Sequence, residues 1–235
     1  HIFFLMKIPQ LRKQPEKKSC HGFSWVDEYS WIHQENCLEI LRDTDKLNPE
    51  VKKYLKEENA YTKENMKDTE DLQKILFNEI EGRIKLDDES LPFKDKHYEY
   101  WTKTTKDGNY FKKLRRKIGD KKIECYFDAD LEAKGKKFFS TGDLTVSNND
   151  ELLAYSVDDK GGEYFTIFIR RISDNKIIEK IEETAGGIVW AYDDKSFFYR
   201  KHDSQKRPRQ IFQHKLGTNV KEDKLIFEEK DERFT

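Results

Sequence analysis

The stretch "LLAYSVDDKGGEYFTIFIRR" (residues 152–171) sets two runs of apolar and aromatic residues on either side of Asp158-Asp159-Lys160-Gly161-Gly162. Short β-branched and aromatic runs flanking an Asp/Gly turn predict a β-hairpin. The plan returns in "SFFYRKHDSQKRPRQIFQHK" (196–215), which overlays the first copy without a gap. Leu153 falls on Phe197, Tyr155 on Tyr199, Ile167 on Ile211 and Ile172 on Leu216, a period of 44 residues. A less regular copy precedes it at a period near 54, with Trp101 on Tyr155 and Phe111 on Phe165.

Further strands complete each copy. "HYEYWTKT" (97–104) and "YFKKLRR" (110–116) predict a strand pair around Lys106-Asp107-Gly108-Asn109, and "FFSTGDLTVSNNDELLAYSV" (138–157) reads as strand, polar turn, strand. "KIIEKIEE" (176–183) and "DKLIFEE" (223–229) each add one more. Four short antiparallel strands in about 40 to 50 residues are the pattern of propeller blades, with a β-sandwich as the alternative. Residues 88–235 hold about three such units, whereas closed propellers usually have at least four. The expected fold is therefore mainly β with an N-terminal α-helical extension, the β part being an incomplete propeller.

The extension is read from a change of period. Asn48 can cap a helix that starts at Pro49 and carries Val51, Tyr54, Leu55 and Tyr61. Leu72, Ile75, Leu76, Ile80 and Ile84 form a second stripe, with Asp68 or Thr69 as its cap. Both stripes are expected to be core. The boundaries expected are 1–86 for the helical part and 87–235 for the blades.

Composition narrows the classes. Charged residues make up 39%, but 4 Trp, 11 Tyr and 16 Phe supply a core that disordered chains lack. Lys plus Arg (45) balances Asp plus Glu (46), so no global field favours nucleic acid or an anionic membrane. Cys20, Cys37 and Cys125 are odd in number and lack metal-type spacing, which predicts reduced thiols and a cytoplasmic location. "HIFFLM" (1–6) is far too short to span a bilayer and lacks the flanks of a signal peptide. The chain starts at His1 rather than methionine, as expected of a fragment or of a start assigned away from the natural one.

No motif offers chemistry of its own. None of the 11 glycines builds a Gly-x-Ser-x-Gly elbow, and Ser147, Ser156 and Ser196 lie in strand or turn text, so they are expected to be structural. His33 and Cys37 are four apart and can share a helix face, without the companions a metal site needs. Gly161-Gly162 and Gly186-Gly187 read as turns rather than a phosphate loop. "KKLRRK" (112–117) and Arg200 to Lys215 are interrupted by Leu114, Ile211 and Phe212 at strand spacing, which favours a solvated strand face over a phosphate-binding patch. Glu182-Glu183 and Glu228-Glu229 are strand neighbours whose side chains point apart, a poor acid/base pair. The expectation is no catalytic, cofactor-binding or metal-binding residue in this chain.

An ordered series of segments resembles one family. "HGFSWVDEYSWI" (21–32) fits the His-Gly-x4-Asp-x-Tyr-x-Trp segment near the start of the prolyl oligopeptidase family of serine peptidases. "YLKEENAYTKENM" (54–66) and "LQKILFNEIEGRIKLDDESLP" (72–92) resemble the helices that follow in its oligopeptidase B (protease II) branch. "VSNNDELLAYSVDDKGGEYFT", "RPRQIFQHKLGT" and "IFEEKDERF" continue the match, while "GDKKIECYFDADLEAKG" departs from the family's Leu-Asp-x-Asn. The resemblance implies a seven-bladed propeller over an α/β-hydrolase domain with a Ser-Asp-His triad, the N-terminal helices packing on the hydrolase and the propeller restricting access to peptides. It implies cleavage of short peptides after Arg or Lys by the complete enzyme, with the hydrolase part outside this chain or separately encoded, and no activity for this chain alone. A non-catalytic β-rich binding module and an inactive remnant of a split gene stay open beside it.

Overall fold

The computed structural model describes residues 7–231, 233 and 234, so the apolar start at 1–6 and Glu232 of the last matching segment lie outside the described residues. The chain divides into two compact units, 1–84 and 85–235.

The first unit begins with a hairpin, β1 (Glu16–Cys20) and β2 (Phe23–Asp27). His21 and Gly22 both take positive φ (50° and 82°), the paired left-handed conformation that two-residue hairpin turns require. Three helices follow: α1 (Cys37–Arg42), α2 (Pro49–Asn65) and α3 (Glu70–Glu81). Asn48 caps α2 as expected, its Oδ1 accepting from the Glu50 amide at 2.8 Å. Thr69 stands at the start of α3 without capping it; its hydroxyl donates to Met66 O instead (2.6 Å), closing a 3-10 turn at Lys67–Thr69. The expectation that both stripes are core is overturned for α3 and met only in part for α2, where Val51 is buried, Tyr54 and Tyr61 are half-buried and Leu55 is exposed. Among the described residues of this unit Val51 is the one buried hydrophobic, whereas Leu72, Ile75, Phe77 and Ile80 are 55–63% exposed. A single layer of helices has no second layer against which to bury a stripe.

The second unit is three antiparallel sheets in sequence. Blade 1 contains β3 (Asp88–Glu89), β4 (Phe93–Asp95), β5 (Tyr98–Thr104), β6 (Phe111–Lys117) and β7 (Ile123–Asp128), followed by the short helix α4 (Ala129–Ala133). Its first strand is broken into β3 and β4 by Leu91-Pro92, because proline cannot donate to a ladder. Blade 2 is β8 (Ser140–Val146), β9 (Leu152–Asp158), β10 (Phe165–Arg171) and β11 (Ile177–Thr184). Blade 3 is β12 (Val189–Trp190), β13 (Ser196–Lys201), β14 (Gln210–Lys215) and β15 (Lys224–Glu228). Each sheet pairs its strands in chain order, the four-stranded meander expected of a propeller blade.

The repeat explains the packing. Adding 54 to β5 and β6 reproduces β9 and β10 residue for residue, and adding 44 to β9 and β10 gives β13 and β14 within one residue. Side chains alternate faces along a strand, so β9 sends Leu153, Tyr155 and Val157 into a core with Tyr100, Tyr126 and Phe127 of blade 1. Ala154, with Ile167 and Ile169 of β10, enters a second core with Phe197 and Tyr199 of blade 3. Leu153, Ala154, Ile167 and Ile169 are fully buried, as a strand covered on both faces demands. Burying one such side chain contributes roughly 1.5–3 kcal/mol, so these two cores dominate the unit's stability.

Candidate functional site

A cleft of about 800 Å³ opens where the turn ends of blades 1 and 2 meet, lined by His97, Arg115, Lys117, Lys122, Glu124 and Asp150 among others. Asp150 sits in the tight turn before β9 with φ 65°, and its carboxylate is buried. It accepts from Tyr100 Oη at 3.0 Å and lies 2.8 Å from His97 Nδ1, leaving the exposed His97 ring with its other nitrogen free for solvent. Beside it the buried Arg115 guanidinium donates to Glu124 (2.6 Å) and to Asp150 O (2.7 Å), over the Tyr98 ring at 4.3 Å. Burial, then the Asp150 charge, pushes the Tyr100 hydroxyl upward in pKa; burial pushes Tyr126 up to about 12. Burial works against the Arg115 charge, but Glu124, with help from Tyr100 and Tyr98, outweighs it and raises the guanidinium pKa. Every buried charge here has a partner, so the cleft floor is a locked network rather than a reactive one.

Two more buried networks tie the blades together. Arg170 of β10 donates to Glu132 of α4 (2.5 Å) and to Tyr126 O (3.0 Å), both in blade 1, and packs over the Tyr155 ring at 4.9 Å. His214 occupies the equivalent place in blade 3, 44 residues on, and is 1% exposed. Its Nδ1 lies 2.6 Å from Asp223 and its Nε2 2.9 Å from Glu179 of blade 2, while Tyr199 Oη donates to Asp223 at 2.6 Å. Each ring nitrogen thus faces one carboxylate, and the ring bridges blade 3 to blade 2. A nitrogen-bearing side chain on the third strand meeting a carboxylate from before its own blade is thus a recurring junction.

The residues singled out from the sequence fall elsewhere. Ser147 Oγ donates to Asn149 Oδ1 and accepts from the Leu152 amide, Ser156 Oγ accepts from the Asp143 amide, and Ser196 Oγ accepts from Gln213 Nε2. All three hydroxyls hold turns or strands together. His33 and Cys37 do not share a helix face, because α1 begins only at Cys37 and His33 is extended (ψ 131°). Gly186 and Gly187 (φ 69° and 75°) are not a turn; they lie in the link between β11 and β12, and the Arg200 side chain lies where a Cβ on Gly187 would stand. The basic run 112–117 is not a solvated face: Leu114 and Arg115 are buried, Lys112 pairs with Asp128 (2.8 Å) and Arg116 with Glu99 (2.6 Å). In the second run Arg207 and Arg209 both pair with Asp203, and Lys206 with Glu163. Glu183 lies in a bulge of β11 with φ 59°, and Glu228 accepts from Gln210. The segment that departs from the family's Leu-Asp-x-Asn still makes a capped turn: Asp128 caps α4, and Asp130 accepts from the amides of Asn109 (2.9 Å) and Tyr110 (3.1 Å).

The junction residues Asp150, Asp194, Arg170 and His214 were not picked out from composition or motif. Their signal was the overlay itself, which places Asp150 on Asp194 and Arg170 on His214. What these arrangements offer chemically is rigidity: blades fixed at defined spacing, with polar ends and apolar faces. That suits a wall which admits or excludes ligands.

The family model for the prolyl oligopeptidase N-terminal β-propeller domain matches residues 9–235. Dipeptidyl aminopeptidase BI of Pseudoxanthomonas mexicana is 29% identical over 245 residues, covering 96% of this chain and 33% of that protein. Protease 2 of Moraxella lacunata is 26% identical, with 98% and 33% covered. Among solved structures, oligopeptidase B from Leishmania major superposes with a TM-score of 0.83 at 27% identity, over 96% of this chain and 33% of that one. The chain thus spans about a third of the length of these relatives.

Proposed function

The chain belongs to the prolyl oligopeptidase N-terminal β-propeller family, and from that premise we propose that it is the leading part of the gate of an oligopeptidase B-like serine endopeptidase. In the complete enzyme the blades wall the route by which short peptides reach a serine nucleophile, and cleavage follows Arg or Lys. The acyl transfer itself, with a histidine base and an oxyanion hole, belongs to a hydrolase part that is either continuous with these blades or separately encoded. Residues 1–86 form the extension that packs on that hydrolase part, and the exposed stripe Leu72, Ile75, Leu76, Ile80 and Ile84 supports this assignment. The protein works in the cytoplasm, in keeping with three free cysteines; no described helix is long and apolar enough to cross a membrane.

The observation that carries the reading is the three-blade repeat, matched at TM-score 0.83 to a third of an oligopeptidase B. The test compares this chain with the complete enzyme on fluorogenic peptides ending in Arg, Lys or Pro. Cleavage after Arg or Lys by the complete enzyme and none by this chain is expected. Turnover by this chain alone would overturn the assignment of chemistry to a separate part, and Pro-directed cleavage would overturn the specificity.

A further inference from the structure

By the 54- and 44-residue overlays, Lys96, Asp150 and Asp194 occupy one position, the turn between the first and second strands of their blades. All three have left-handed backbone, with φ of 50°, 65° and 55°. From this position the side chain reaches a neighbouring blade. Lys96 Nζ donates forward to Ser147 O at 3.3 Å. Asp150 reaches back to Tyr100 and His97, and Asp194 reaches back to Asn148 N (2.6 Å), Asn148 Nδ2 (2.9 Å) and Asn149 N (2.8 Å). At both closed junctions, therefore, a carboxylate on the later turn gathers donors from the earlier blade.

Blade 3 presents the next set of donors. The counterparts of Asn148 and Asn149 are Tyr192 and Asp193, and among the described residues neither amide has an acceptor. Their neighbours are all engaged: Ala191 N donates to Ser196 O, Asp194 N to Ala191 O and Lys195 N to Asp193 Oδ1. The surrounding face is open where its blade 2 counterpart is closed. Phe227, which pairs with Ile211, is 51% exposed, whereas Ile181, which pairs with the equivalent Ile167 in blade 2, is 1% exposed.

We infer that the amides of Tyr192 and Asp193 are a docking point for a carboxylate carried by a further blade that covers blade 3. The carboxylate belongs to an Asp at the turn position equivalent to Asp150 and Asp194. This rests on the propeller reading above and deepens it. Aspartate fits because its short side chain tolerates left-handed backbone, and a carboxylate accepts from two adjacent amides at once. The new junction differs in one respect from that at Asp194: Tyr192 has no side-chain amide, so the acceptor receives two bonds there instead of three.

The test is a structure of the complete protein together with hydrogen exchange of the segment 191–195, compared with this chain alone. Expected is an acidic side chain within hydrogen-bond distance of both amides, with exchange slowed about ten-fold or more, the scale of a charge-assisted bond. Replacing that residue with alanine should return exchange to the rate of this chain, while replacing a neighbouring surface acid should not. A blade that covers the face without such a carboxylate would overturn the inference and leave the propeller reading standing. A face left bare, or covered by something other than a β-sheet, would overturn both.

Discussion

Asp194 offers the sharpest test of how the blades are held, because its carboxylate bonds cross from blade 3 to blade 2. Asp194→Gly removes three charge-assisted bonds, of 2.6, 2.8 and 2.9 Å, without straining a backbone held at φ 55°. Such bonds contribute about 1.5–3 kcal/mol each when buried. The turn is half exposed, so water replaces part of the loss, and a total of about 2–4 kcal/mol is the reasonable figure. Asp194→Ala adds the left-handed penalty of roughly 1 kcal/mol, so alanine should be worse than glycine by about that amount. Asp193→Ala is the control, since it forfeits one exposed bond to Lys195 N.

Urea unfolding followed by tryptophan fluorescence can read this, because the Trp190 indole in blade 3 donates to Thr145 O in blade 2 at 3.2 Å and reports on the same junction. Exchange at the Asn148 and Asn149 amides gives a local readout. If Asp194→Gly moves the midpoint no further than Asp193→Ala, and those amides stay protected, the carboxylate is not a tether and the overlay argument loses its energetic basis.

Replacing His214 with Phe takes one hydrogen-bond partner from each of Asp223 and Glu179, which keep Tyr199 Oη and the Gly217 amide, and should cost roughly 1–3 kcal/mol, the range for leaving a buried polar group short of a partner; equilibrium unfolding measures it. Burial, then Lys206, holds the His202 imidazole below its ordinary pKa, so its neutral form is the one the fold prefers. Its contribution should be present above about pH 6.5 and fade as pH falls through the lowered folded value; NMR titration of the ring, with His202→Gln as the control that abolishes the slope, checks the sign. Gly187→Ala should destabilise by more than 1 kcal/mol, since it combines a left-handed backbone with a collision against Arg200; the midpoint shift reads it. Replacing Ile75 and Phe77 with Ser should raise the soluble yield of this chain alone yet lower the activity of the complete enzyme.

The fold was legible because a propeller blade repeats a period-two pattern at fixed spacing, and Leu153, Tyr155, Ile167 and Ile172 carry that pattern into both cores. The links between blades were less legible. Gly186-Gly187 looks like a turn in the sequence, and only the close approach of Asp143 to Gly186 and of Arg200 to Gly187 shows why two left-handed glycines stand in the link that enters blade 3. The basic run at 112–117 was misread as solvated because charge alone does not reveal that Arg115 finds Glu124 and a backbone carbonyl under the Tyr98 ring. The helical stripes were misjudged for the opposite reason. Periodicity says that a face is apolar, not what covers it, and within residues 7–84 nothing covers Leu72, Ile75 and Ile80.

These contrasts bear on how such a gate keeps its shape. In a stack of blades each sheet gains stability from its neighbours, as in other repeat architectures. Blade 2 is covered on both faces, with Leu153, Ala154, Ile167 and Ile169 fully buried and polar junctions on each side through Arg170, Asp150 and Asp194. Blade 3 has its Phe197 and Tyr199 face sealed and the opposite face, which carries Phe227, open. Local opening free energies should therefore fall from blade 2 toward β15, so amides of β9 and β10 should exchange most slowly and those of β14 and β15 faster. Equal protection across the three sheets would mean that they unfold as one body, and that the junction carboxylates merely decorate a stability set by the apolar cores.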